Sequence, residues 1–78
     1  MNDVKEMVSL CNKLNVDEST ISVGFGKNMN VTVQVLKHEK YFFVYVVKQC
    51  LVIEKLEVKM ENLEKVLDKI WKEVNDNN

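Results

Sequence analysis

Few residues in this chain are of types that do chemistry. His38 is the only imidazole, Cys11 and Cys50 are the only thiols, and acidic neighbours occur at Asp17-Glu18 and at Glu61/Glu64. A zinc site would need His38, both cysteines and a further ligand to converge, and the short paired spacings of such sites are missing. Nucleophilic catalysis needs a base beside the nucleophile and a third group to orient that base. His38 offers neither, because it stands in the polar run Lys37-His38-Glu39-Lys40, which reads as an exposed loop tip. Gly24-Phe25-Gly26-Lys27 has the glycines and lysine of a phosphate-binding loop. It lacks the four-residue interval between glycines and the Ser or Thr after the lysine, so it reads as a strand end and hairpin turn. Asp17-Glu18 marks a turn, and Glu61 and Glu64 suit the positive end of a helix dipole. The chain is expected not to be an enzyme, with no catalytic, cofactor-binding or metal residue and no cofactor. A domain this small has no second layer to enclose a pocket that would perturb a pKa.

Seventy-eight residues, 46% hydrophobic and 29% charged, make a single small globular domain spanning residues 1–78. A formal net charge of −1 argues against a generally basic nucleic-acid protein. Eleven Lys and nine Asn, with no Ala, Arg or Pro, point to AT-rich codons. That bias fits an orphan protein of a virus, plasmid, other mobile element or AT-rich microbe. Two cysteines do not make a disulfide scaffold, and Met1–Asn2–Asp3 does not open a signal-peptide pattern. No apolar run approaches the ~20 residues needed to cross a bilayer. The expectation is an intracellular, cytoplasmic protein with no membrane contact and with both thiols reduced and buried in apolar patterns. So short a chain gains extra burial from disulfides, metals or a partner, and only a partner remains.

The elements follow from periodicity. Val4, Met7, Val8, Cys11 and Leu14 share one face of a 3.6-residue period, which predicts a helix over 3–14, capped by Asn2 or Asp3 and stopped near Asn15. From Ser19 the period becomes two. Ile21, Val23 and Phe25 alternate with Thr20, Ser22 and Gly24, and Val31, Val33 and Val35 alternate with Thr32, Gln34 and Leu36. Gly26-Lys27-Asn28 lies between as a turn. A third strand runs from Tyr41 to Val47, and tight pairing would set Val35 opposite Phe42, Val33 opposite Val44 and Val31 opposite Val46. Residues 61–75 form an amphipathic helix through Leu63, Val66, Leu67, Ile70 and Val74.

Residues 50–58 have two readings. Ile53, Leu56 and Met60 continue the 3–4 spacing of that helix, so one long helix from about Gln49 would present a coiled-coil seam. The density of strand formers and the missing N-cap favour a fourth strand instead, after a turn at Lys48-Gln49, with a bulge at Glu54-Lys55 returning Leu56 and Val58 to the core face. The expected fold class is α+β: an N-terminal helix, a three- or four-stranded antiparallel meander, and a C-terminal amphipathic helix.

Function is expected to lie on the other face of the hairpin. Tyr41, Phe43 and Tyr45, flanked by Leu36, put more apolar surface there than a solvated sheet face carries. Trp71, one step off the main face of the last helix, is a further interface candidate. The expectation is a protein-interaction domain that self-associates as a homodimer or higher oligomer, or that binds a host macromolecule. The competing expectation is a single-stranded nucleic-acid platform, with bases stacked on the aromatics and Lys27, Lys37, Lys40 and Lys48 on the phosphates. Residues 21–50 carry +3 and the flanking segments are acidic, but no Arg is present.

Overall fold

A computed structural model describes residues 4–25 and 30–76. Helix α1 (Val4–Asn12) is followed by strands β1 (Ser19–Val23), β2 (Val31–Lys37), β3 (Tyr41–Lys48) and β4 (Leu51–Lys59). A 3₁₀ turn (Met60–Asn62) then leads into helix α2 (Leu63–Asp76). The strands form one antiparallel sheet in the order β1-β2-β3-β4, so the fold class is the expected α+β meander between two helices. The proposed caps at Asn2 and Asp3 and the turn at Gly26-Lys27-Asn28 lie outside the described residues.

Alternation in β2 and β3 decides where the core sits. Val31, Val33, Val35, Phe42, Val44 and Val46 are all buried on one face. Val4, Met7 and Cys11 of α1 close over them, with Leu63, Leu67 and Ile70 of α2. The expected pairing is off by two residues: Val35 faces Val44, Val33 faces Val46, and Lys37 faces Phe42. The turn is therefore Glu39-Lys40, closed by the His38 N–H donating to the Tyr41 carbonyl at 2.8 Å. A shift of two keeps every side chain on its own face, so the core assignment survives the register error.

Residues 51–59 are a strand, not the start of a long helix. Its turn is Gln49-Cys50 rather than Lys48-Gln49, with φ of 52° and 66°. Lys48 faces Leu51 across this two-residue loop. The bulge falls at Ile53 rather than at Glu54-Lys55, since Val47 faces Val52 while Val46 faces Glu54. As expected, it restores Val58 and Leu56 to the core side, opposite Phe42 and Val44.

Strand β1 departs from its pattern. Ile21 and Val23 are 54% and 60% exposed, whereas Ser22 between them is 7% exposed. Pairing explains this: Ser22 faces Val33 and Thr20 faces Val35, both core residues, so the even positions of β1 must point inward. α1 packs against β1, and the small Thr20, Ser22 and Gly24 suit its close approach. Gly24, at φ 73°, then breaks the alternation, and Phe25 is fully buried.

Candidate interaction surface

Both helices pack on one face of the sheet, and the opposite face carries no other element of the described chain. Cross-strand rows can be read directly from the pairing. Ser19, Leu36, Phe43 and Glu57 form one row, and Ile21, Gln34, Tyr45 and Lys55 form the next. Val23, Thr32, Val47 and Val52 form a third, and Tyr41 pairs with Lys59 beyond the first. The sequence-predicted Leu36, Tyr41, Phe43 and Tyr45 therefore do share this outer face. Each is half-buried, although no helix covers it. Ile21, Val23, Val47 and Val52 enlarge the apolar patch. The period-two pattern names these residues but not their side, so only the pairing places them here.

The aromatic side chains cover one another. Tyr41 and Phe43 meet edge to face at 5.2 Å between centroids, and Phe43 and Tyr45 lie 6.5 Å apart. The Lys55 ammonium sits 5.4 Å from the Phe43 ring and 5.7 Å from the Tyr45 ring, within reach of a cation–π attraction. Gln34 donates to the Ser19 hydroxyl at 3.4 Å.

His38 joins this ladder rather than standing exposed at a loop tip. Its ring is half-buried, stacked on Tyr41 at 4.7 Å and edge-on to Phe43 at 6.0 Å. Its Nδ1 is buried and has no hydrogen-bond partner among the described residues. Stacking holds the ring, and among the described residues no carboxylate orients it as a general base would require. Among the described residues no group of three His, Cys, Asp or Glu side chains is placed to hold a metal. Cys11 is buried on the inner face of α1, and Cys50 is exposed in the β3–β4 turn. The expectation that Cys50 is buried fails because it occupies a hairpin loop rather than the interior of a strand. Burial pushes the Cys11 thiol up to about 11, which keeps it protonated and unreactive.

Trp71 lies on the helical side, half-buried, with its ring perpendicular to that of Phe25 at 5.4 Å. It helps close the core and is not part of the open face. Of the four lysines named from sequence, Lys27 falls outside the described residues. Lys37 faces Phe42 on the core side at one end of the β2–β3 hairpin, and Lys40 stands in the turn beside it. Lys48 ends β3 at the other end of the sheet, about 25 Å from Lys40 at ~3.3 Å per residue. The cations that do share the outer face are Lys55 and Lys59, with Glu57 between them.

Two concavities flank β4. One, of about 440 Å³, is bordered by Lys40, Tyr41, Lys59, Glu57, Met60 and Glu61. The other, of about 210 Å³, lies between the sheet and the end of α2, with Val31, Val46 and Ile70 on its apolar side and Lys48, Glu54 and Glu73 at its charged rim. No helix among the described residues is long and apolar enough to cross a membrane. Comparison with protein-family models, curated proteins and solved structures finds no match for this chain.

Proposed function

We propose that the protein is a non-enzymatic interaction domain whose open sheet face binds a second copy of the chain. The observation that carries this reading is the one-sided packing: both helices lie on the Val33/Val44 face, and Ile21, Leu36, Phe43, Tyr45, Val47 and Val52 share the other. A contiguous apolar patch of this kind marks an interaction site more often than a solvated surface. A face-to-face pair of sheets, each copy presenting the same patch, is the usual isologous way to bury it. Four strands about 4.8 Å apart and six residues long at about 3.3 Å each outline roughly 400 Å² per copy. Two copies then bury on the order of 1,000 Å² of accessible surface, near the lower limit for a stable pair. The small orphan protein suggested by the codon bias would work in this way by occupying surfaces rather than by turning over a substrate.

Mass in solution tests the reading. Sedimentation equilibrium over a dilution series should show association in the micromolar range, and Tyr45→Ala should weaken it by about 1–2 kcal/mol, some tenfold, with little dependence on salt. A single-chain mass at every concentration refutes it. Tight, salt-sensitive capture of random single-stranded oligonucleotides, lost on reversing Lys37 and Lys40 to Glu, would replace it with the nucleic-acid platform.

A further inference from the structure

The outer edge of β4 has properties of its own. β4 is the longest strand, it ends the sheet, and no strand among the described residues pairs with its outward side. An edge of this kind is a template for strand addition unless it is blunted by charge or distortion. Here the bulge is confined to Ile53, so Glu54 to Lys59 run in regular register with β3. The charges along that regular stretch alternate in sign on one face, as Lys55, Glu57 and Lys59, with Glu54, Leu56 and Val58 on the other.

We propose that β4 pairs antiparallel with β4 of a second copy, about a two-fold axis through Leu56 and perpendicular to the sheet. Such an axis keeps both cores on the same side, so a residue must meet one of its own parity. Centring on Leu56 sets Lys55 opposite the partner's Glu57 and Glu57 opposite the partner's Lys55, both on the outer face, while Leu56 meets its own copy on the core side. Neighbouring centres fail. Centring on Lys55 sets that ammonium against its copy, centring on Glu57 sets two carboxylates together and Lys55 against Lys59, and centring on Glu54 again opposes like charges. Centring on Val58 also sets Glu57 against Lys59, but β4 ends at Lys59, so that register pairs only residues 57–59 within the strand. Charge and strand length together favour the Leu56 register over its neighbours and over unrelated edges.

Exposed apolar residues supply a second, independent reason. Leu51, Val52 and Ile53 are 69%, 61% and 53% exposed, and Met60 is 39% exposed. In the Leu56-centred register, the strand segment at Val52 and Ile53 runs alongside the partner's Lys59 and Met60. Both ends of the contact then bring these four residues together, twice over by symmetry. The edge adjoins the open face and shares Val52, Lys55 and Glu57 with it, and the pairing deepens the reading above by naming a second contact between copies.

Charge reversal is the test, with sedimentation velocity and hydrogen exchange as readouts. Lys55→Glu and Glu57→Lys are exposed-site changes, and circular dichroism of each checks that the fold is kept. Each variant alone sets like charges opposite one another and should weaken association at least tenfold. An equimolar mixture of the two should re-associate, because the strand carrying Lys55→Glu then presents two carboxylates to the two ammonium groups of the strand carrying Glu57→Lys. The double reversal in one chain should associate like the parent. Amides of residues 54–58 should exchange more slowly as the parent is concentrated, since edge pairing engages backbone groups and face stacking does not. Single variants that associate like the parent, a mixture that stays dissociated, or concentration-independent exchange of residues 54–58 would overturn the proposal. Tyr45→Ala separates the two surfaces: weakened association with edge protection retained supports both, and charge effects without any Tyr45 effect support the edge and refute the face alone.

Discussion

The β3–β4 turn is where sequence and backbone disagree most, and a single substitution there has a calculable effect. Gln49 and Cys50 both hold positive φ, the geometry of a type I′ hairpin, whose preferred residues are Asn and Gly. That conformation costs an L-residue with a Cβ about 1–2 kcal/mol. Glycine escapes this cost, but loses about 0.5–1 kcal/mol more chain entropy on folding. Both side chains are exposed, so substitution removes no packing. The difference, about 0–1.5 kcal/mol and centred near 0.75, leaves Cys50→Gly more stable than the parent by roughly 3–6 °C in Tm for a domain of this size. Thermal unfolding followed by far-ultraviolet circular dichroism, in reducing buffer and at one fixed concentration, measures it. Fixed concentration matters because association raises an apparent Tm by mass action. Cys50→Ser keeps the backbone demand and removes the thiol, and should match the parent. Cys50→Val should lose about 1 kcal/mol or more, because branching at Cβ worsens positive φ. A Tm lowered by glycine, or unchanged by valine, would refute the reasoning.

Other outcomes follow from burial. Native protein at pH 8 should react rapidly with one equivalent of thiol reagent, at Cys50, and Cys11 should react only after denaturant is added. Because burial raises the Cys11 thiol to about 11, the folded chain holds a proton that the unfolded chain releases near 9. Its stability contribution is therefore fully present below pH 9 and lost as pH rises toward about 11, and a Cys11→Ala variant should lack that part of the alkaline fall in Tm. On β1, Ile21→Thr should cost under about 0.5 kcal/mol, since Ile21 faces outward. Leu67→Ala, at a fully buried position, should cost about 2–5 kcal/mol, enough to unfold much of so small a domain. Equal effects at the two sites would mean that the face of β1 is misassigned.

Most of the architecture was legible because period and side are linked. Alternation in β2 and β3 named all six of their core residues, and the 3.6-residue period named Val4, Met7 and Cys11 on α1 and Leu63, Leu67 and Ile70 on α2. Register was not legible: a two-residue slip changes no face, so the hydrophobic pattern carries no information about it. On β1 the pattern misled, because an edge strand takes its orientation from its neighbour. Val33 and Val35 dictate that Ser22 and Thr20 turn inward, whatever Ile21 and Val23 would prefer in isolation. Cys50 misled for a related reason. Its apolar neighbours look like a strand interior, and only the pairing of Lys48 with Leu51 reveals a turn. On the open face, Tyr41, Phe43 and Tyr45 were legible from alternation, and so was Glu57 between Leu56 and Val58, whereas Lys55 was not, because the expected bulge at Glu54-Lys55 took it out of the alternation and the bulge lies at Ile53.

Those two charges also bear on what the two proposed surfaces do together. Face stacking alone buries little more than a marginal interface, and a five-residue edge pair alone buries less. Each has its own two-fold axis: the edge axis is perpendicular to the sheet, and the face axis lies in its plane. If the two axes intersect, four chains close into a finite body with both surfaces satisfied; if they do not, the same contacts continue into a fibre. Lys55 and Glu57 stand where the surfaces meet, on the outer face and beside the free edge. A register set by these two charges therefore constrains the stacking as well as the pairing, and it limits which edges can join the sheet. The exposed segment Leu51–Ile53 has no such charge of its own, and in the Leu56-centred register the partner's Lys59 and Met60 run beside Val52 and Ile53 and cover that end of the edge.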